Sequence, residues 1–265
     1  KLRPWYLQIY SPPPVVSRRE KELAMAPAVP QEMRRKAETG AAEEKAVDAA
    51  AETAEALALG TSMVFKAPKK ETIAGSGQPH KILIAVKEFK PTLEYHTAPK
   101  LSAHAFLKAT MKNNWGIPLL NGPVNVFSGP DFVGGTRLPL IAPDEEFEVQ
   151  LGVDSRVKVS REIVKHLKKE EGVFKKNTQI HHGYLIKLEN YTGKPQTVYV
   201  QDQLPVSRDE KIKVERVALE PQPLPEKPEE QGVLTWKIAL QPREKAQIRI
   251  EFIIDFPRDA IVQGM

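Results

Sequence analysis

The chain has 265 residues, long enough to bury a core without staples, and its lack of Cys excludes disulfides, zinc–thiolate sites and Cys nucleophiles. Lys+Arg 39 against Asp+Glu 34 leaves a net charge of +5 with the signs interleaved, which argues against nucleic acid as a partner. No apolar run approaches the ~20 residues of a membrane helix, and 23 Pro against 15 Gly foretell many strand ends, turns and linkers.

The chain begins Lys1-Leu2-Arg3-Pro4, without an initiator Met or a charged-then-apolar leader, and reads as a fragment or a processed chain. The compartment stays open, with periplasm or cell envelope ahead of cytoplasm. Within residues 1–14, Trp5 to Tyr10 is rich enough in aromatic and aliphatic side chains to form a strand, and Ser11-Pro12-Pro13-Pro14 ends it. That strand must pair with a distant strand of this chain or with chain that is absent. Residues 15–60 hold Ala, Glu, Lys, Arg and Pro with few large apolar side chains. They predict a linker, flexible or isolated helix, because Val47, Leu57 and Leu59 alone cannot offset the entropy of ordering it.

From Thr61 the period switches to two. Residues 61–160 predict a first β-sandwich unit: Met63-Val64-Phe65, the apolar run Ile82 to Val86, and alternation at Leu101, Ala103, Ala105 and Leu107. Val124 to Phe127 lead into a hairpin turn at Ser128-Gly129-Pro130-Asp131, and Phe147, Val149, Leu151 and Val153 alternate again. Residues 161–177 are dense in Lys and Glu and read as an extended charged connector, although Ile163, Val164 and Leu167 also fit a helical turn.

Residues 178–265 predict an immunoglobulin-like unit. Tyr184, Ile186 and Leu188 alternate, Asn190 to Pro195 turn, and Thr197 to Asp202 return. Pro221 to Pro228 form a loop no strand can enter, and Ile248 to Phe256 make the longest alternation in the chain. Trp236 and Phe252 are expected in its core. The fold class is all-β: antiparallel β-sandwich units, the last immunoglobulin-like, behind a low-complexity, partly helical linker.

Several stretches together resemble the middle of mucoidy inhibitor A-like proteins. They are Leu2-Arg3-Pro4-Trp5-Tyr6-Leu7 with its Pro-rich stop, Pro118-Leu119-Leu120-Asn121-Gly122-Pro123, Asp131-Phe132-Val133-Gly134, Phe147 to Asp154, Asp202 to Ser207, Leu234-Thr235-Trp236 and Phe256-Pro257. The resemblance runs in order along nearly the whole chain. It implies a β-rich fold and a link to cell-surface polysaccharide, and its C-terminal region is a domain of unknown function with no established catalytic residues to carry over. The chain departs from the pattern in lacking the family's leading β-domain and coiled coil, in having Trp115 where a small polar residue is commoner, and in Pro143-Asp144-Glu145 where Pro-Gly-Glu is expected.

No reactive constellation stands out. His80, His96, His104, His166, His181 and His182 show no zinc spacing, and adjacent His181 and His182 in a strand point to opposite faces. Asp144-Glu145-Glu146 splay in a turn rather than converge on a cation. There is no phosphate loop, no dinucleotide fingerprint and no G-x-S-x-G elbow. The residues therefore name no catalytic group, cofactor or metal ligand.

Aromatics carry the functional expectation. Trp5, Tyr6 and Tyr10 near the start, Trp115 in a loop and Phe132 beside a hairpin turn are the candidate interface. The leading expectation is a non-enzymatic, envelope-associated protein acting through protein contacts or self-assembly. Its partners would be its own absent front half, a copy of itself or an envelope component. The alternatives are a carbohydrate-binding surface protein, with Trp115 and Phe132 as stacking candidates, and a hydrolase with an unrecognised carboxylate site.

Overall fold

The computed structural model describes residues 2–10, 55–59, 62–66, 70, 72–73, 75, 77, 80–171, 177–228 and 231–265. Two compact units result, one made of Lys1–Tyr10 with Glu88–Met265 and the other of Ser11–Lys87. In chain order the strands are β1 (Trp5–Ile9), β2 (Glu55–Leu59), β3 (Ser62–Lys66), β4 (Thr92–Thr97), β5 (His104–Lys112), β6 (Gly122–Ser128), β7 (Asp131–Leu138) and β8 (Glu146–Glu171). They continue as β9 (Asn177–Asn190), β10 (Gln196–Gln203), β11 (Pro205–Ser207), β12 (Lys213–Glu220), β13 (Val233–Leu240), β14 (Lys245–Pro257) and β15 (Val262–Gln263). The molecule is all-β, as the alternation requires.

In the smaller unit, β2 and β3 form an antiparallel hairpin with Leu57 opposite Val64. Glu55–Leu59, expected within the linker, form a strand because cross-strand partners outweigh the helix propensity of its Ala and Leu. Residues 15–54 of that linker lie outside the described residues.

The larger unit is organised by one eight-stranded sheet, in the order β12-β14-β9-β8-β5-β4-β10-β13. Its centre is β8, a strand of 26 residues. The first half of β8 pairs with β5, from Lys112↔Glu146 to His104↔Lys158. The second half pairs with β9, from Val157↔Asn190 to Glu171↔Asn177. Residues 161–171, expected in a connector, are thus the second half of this strand. Their high charge is accommodated because most of the side chains of residues 161–170 are exposed.

Two apolar cores form. The larger gathers Ile186 and Leu188 from β9, Ile248 to Phe256 from β14, Val198 and Val200 from β10, Leu234, Trp236 and Leu240 from β13, and Tyr95 from β4. Trp236 and Phe252 are each 1% exposed, in the core as their alternation predicted. The smaller core holds Val126, Ile141, Phe147 and Val149. β1 closes the larger core: it pairs in parallel with β11 and antiparallel with β15, and its Leu7 is fully buried. The early strand finds its partners near the other end of this same chain.

The two cores are built on the same corner. Asn113-Asn114-Trp115-Gly116-Ile117-Pro118 and Asn190-Tyr191-Thr192-Gly193-Lys194-Pro195 share the pattern N-x-x-G-x-P. Both Asn side chains are 0% exposed. Asn113 Nδ2 donates to the carbonyls of Ile117 (2.8 Å) and Ala142 (3.0 Å); Asn190 Nδ2 donates to those of Lys194 (2.8 Å) and Gln241 (3.1 Å). Each corner meets a second turn, Pro143-Asp144-Glu145 or Pro242-Arg243-Glu244, whose middle residue has φ 64. In each, the Glu carboxylate accepts the N–H three residues earlier, at 2.7 Å from Ala142 and 2.6 Å from Gln241. With Asn113 set on Asn190, the ladder pairs Met111↔Phe147 and Ala109↔Val149 fall on Leu188↔Ala246 and Ile186↔Ile248. The larger unit is an internal repeat, β4-β5-β6-β7-first half of β8 followed by second half of β8-β9-β10-β13-β14. The positive φ at Asp144 also explains why a Gly is expected there, since only Gly enters that region without strain.

Candidate functional site

A concavity lies on the outer face of the sheet, over the joint where β10 pairs in parallel with β4. It is a groove of about 640 Å³ lined by Glu94, His96, Lys108, Glu148, Tyr199 and Thr235 with the loop residues Leu224 and Pro225. A neighbouring hollow of about 360 Å³ shares His96, Gln150, Tyr199 and Gln201. The Pro-rich loop makes one wall because Leu224 N–H donates to Thr235 O at 2.7 Å.

The register sets the groove's chemistry. His96 and Tyr199 are direct ladder partners, and their rings stack at 5.0 Å and 9°. Tyr199 OH donates to Glu94 Oε1 at 3.3 Å, and Lys108 Nζ to Glu148 Oε1 at 2.8 Å. Burial, reinforced by the Lys108 charge, lowers the pKa of His96 and keeps its ring neutral. The Glu94 and Glu148 carboxylates are offset by the Lys108 and Lys227 ammonium groups, leaving a trough of hydrogen-bonding groups beside an aromatic pair. Both acids are held by partners.

A second polar cluster joins β8, β9 and β10 beside the larger core. Asp202 is 0% exposed, and its Oδ2 accepts from Arg161 Nε at 2.7 Å. The Arg161 guanidinium lies 3.7 Å from the centre of the Tyr184 ring, and the Lys100 ammonium 4.1 Å from that of Trp5. With its amide oriented to satisfy both neighbours, Gln203 donates to Arg3 O and accepts from Lys100 Nζ. His182 stacks on Phe252 at 4.9 Å and faces His166 at 5.0 Å. Among the described residues no three His, Asp or Glu side chains converge as metal ligands.

The structure separates the candidate interface aromatics. Trp5 packs edge-on against Phe252 at 6.1 Å and bonds through its indole N–H to Gly264 O. Tyr6 lies under the Arg208 guanidinium at 3.6 Å. Tyr10 is 42% exposed, and its backbone N–H donates to Ile261 O. Trp115 is half-buried in the Asn113 corner, its N–H donating to Asn113 Oδ1. Phe132 is the most open, 61% exposed beside Phe127 at the tip of the β6–β7 hairpin.

The feature the residue patterns did not single out is the edge of β8. Beyond Lys158, β8 pairs with β9 on one side and with no described strand on the other. Ile163, Val164 and Leu167 there are 68%, 52% and 50% exposed. Lys165 reaches Glu251 and Glu162 reaches Lys187, whereas Lys168 and Lys169 make no ion pair among the described residues. A bulge at Val164 sits opposite Gly183, where a Cβ would come within 2.7 Å of Lys165 Cβ. The signal was present in the sequence: three apolar residues in a run of charges.

Fold and surface together define an all-β sandwich protein that carries a polar groove and, along the later half of β8, an edge with no described partner strand. The chain belongs to the family described as Domain of unknown function (DUF4139), which matches residues 1–258. A curated Caenorhabditis elegans protein, Protein F37C4.5, is 28% identical over 151 residues, 57% of this chain and 27% of that protein's length. No solved structure matches. Among the described residues no helix is long and apolar enough to cross a membrane.

Proposed function

We propose that this protein is a non-enzymatic β-sandwich that works by docking other protein chains. The observation that carries this reading is the edge of β8 beyond Lys158, which pairs with no described strand and where Ile163, Val164 and Leu167 stand exposed. A sheet edge with unpaired N–H and C=O groups is a template for an added strand, and apolar side chains along it give that strand something to bury. Lys165, Lys168 and Lys169 require the incoming segment to carry no cation opposite them.

The test is selection from a display library of extended peptides on the wild-type chain and on Val164→Pro. Val164 is the extra residue of the bulge, so a proline there removes no β8–β9 ladder pair. Apolar, cation-poor segments are expected to bind the wild type and to lose at least tenfold in affinity on the variant. Absence of any enriched segment, or equal binding to both proteins, would overturn the reading.

The motifs shared with mucoidy inhibitor A-like proteins support membership of that group and an envelope setting. They also bring a second reading, polysaccharide binding, which the groove over the β4–β10 joint favours. Its charge balance, its amides and its aromatic pair suit a neutral polyhydroxylated ligand. Calorimetric titration with short oligosaccharides should give heat that Tyr199→Ala abolishes; heat unchanged by that variant would remove the groove from consideration.

A further inference from the structure

We infer that β6 of one copy adds in parallel to the free edge of β8 in a second copy, at Ile163–Lys165, so that the chain assembles head to tail. The inference rests on the docking reading above and names its partner.

The internal repeat carries it. In the first repeat, β4 pairs antiparallel with β5 on one edge. On its other edge it receives β10 in parallel, through Tyr95↔Val198, His96↔Tyr199 and Thr97↔Val200. The counterpart of β4 in the second repeat is the later half of β8, which pairs antiparallel with β9. The alignment is set by the ladders: Tyr95↔Leu107 in the first repeat falls on Ile163↔Tyr184 in the second. Tyr95 and His96 therefore correspond to Ile163 and Lys165, with Val164 the extra residue of the bulge between them. The same edge that is filled by a parallel strand in one repeat meets no described strand in the other, where Ile163 and Val164 are exposed.

The missing occupant has a counterpart as well. β10 follows the Asn190 corner and pairs antiparallel with β13; β6 follows the Asn113 corner and pairs antiparallel with β7. The ladder pair Val200↔Trp236 falls on Pro123↔Arg137, so Val198, Tyr199 and Val200 correspond to Asn121, Gly122 and Pro123 where β6 begins. Among the described residues β6 has β7 as its only ladder partner. β6 carries no charged residue, so nothing in it opposes Lys165 and its basic neighbours.

The joint cannot close within one chain. Val126 of β6 is packed with Phe147 and Val149 of β8. Val149 and Ile163 are about 45 Å apart along an extended strand. β6 of a second copy is the occupant this leaves. Because the two edges differ, the contact is heterologous and propagates rather than closing on a two-fold axis.

The Cys-free chain makes a clean trap. Ile163→Cys and Asn121→Cys, the counterparts of the ladder pair Tyr95↔Val198, are made singly in the full chain, mixed and oxidised. Facing residues of neighbouring strands stand within disulfide reach. The mixed disulfide is expected in at least tenfold excess over that between Asn121→Cys and a remote loop control, Lys194→Cys. In parallel, the light-scattering mass of the wild type should rise with concentration and that of Val164→Pro should not. Equal yields in both mixtures, or a mass independent of concentration, would overturn the inference. If library segments still bind the wild type and not Val164→Pro, the docking reading stands and only the second copy is wrong as occupant; if both fail, both fall.

Discussion

His182 stands where the apolar interior meets the polar cluster, and its ring is held between Phe252 and Tyr184. Burial, with the neighbouring His166 and Lys100 charges, lowers its pKa from the ordinary 6.5 to about 4. The unfolded chain takes up a proton near pH 6.5 that the folded chain refuses. The stability this His contributes is therefore complete above pH 6.5 and is lost as the pH falls toward 4. His96 shifts in the same direction. Asp154 acts in a separate window: Arg156, donating at 2.9 and 2.7 Å, holds its pKa at about 2, so its contribution is lost only as the pH falls from 3.8 toward that value. The melting temperature should drop between pH 6.5 and 4. His182→Phe, which keeps the stack, should shrink that drop and leave the steeper loss below pH 4 in place. Identical pH profiles for variant and wild type would contradict this account. The sequence showed six histidines without metal spacing; which of them would be pressed against a phenyl ring depended on strand partners.

At the level of elements, the two Asn corners do the same work. Each buried amide ties the end of one strand to the turn between two others: Asn190 N–H donates to Glu244 O and Arg243 N–H to Asn190 O, as Asn113 and Asp144 do with Glu145 and Asn113. Removing either side chain strands several buried carbonyls at once. Asn190→Ala and Asn113→Ala should each cost about 2–4 kcal/mol in urea unfolding. A loss under about 0.5 kcal/mol at either site would mean that water replaces the amide. Read singly, each motif is only a turn, and the repeat is concealed because the connections differ. Between the paired inner strands the first repeat has a tight hairpin at Ser128–Asp131, whereas the second has β11, β12 and the Pro221–Pro228 loop. The spacing N-x-x-G-x-P followed by P-x-E was legible; the strands around it share a pattern of burial rather than identities.

For the whole molecule, the decisive contacts are long in sequence. β1 is held by residues near positions 205 and 262, and Leu7 at 0% exposure plugs the core between them. The larger unit is consequently discontinuous, with residues 11–87 leaving and returning to it. Leu7→Ala should destabilise the unit by about 2–5 kcal/mol, while Gln8→Ala on the exposed side of β1 should change it by less than about 0.5 kcal/mol. Equilibrium denaturation measures both, and a Leu7→Ala midpoint equal to that of the wild type would show that β1 is not part of the core. Non-local pairing of this kind also predicts folding in the millisecond-to-second range rather than microseconds.

The residue order alone determined the all-β class, the inward faces of β9, β13 and β14, the turns at Asn190 and Ser128, and the burial of Trp236 and Phe252. A period of two commits every second side chain to one face, whatever strand lies alongside. Tertiary structure decided which strands lie alongside. It gave β8 two partners in succession, seated Trp5 and Leu7 against strands from the far end of the chain, left Phe132 in solvent, and set no described strand against the later edge of β8. Backbone hydrogen bonds are chemically alike at every residue, so the choice of partner rests on long-range packing rather than on any local pattern.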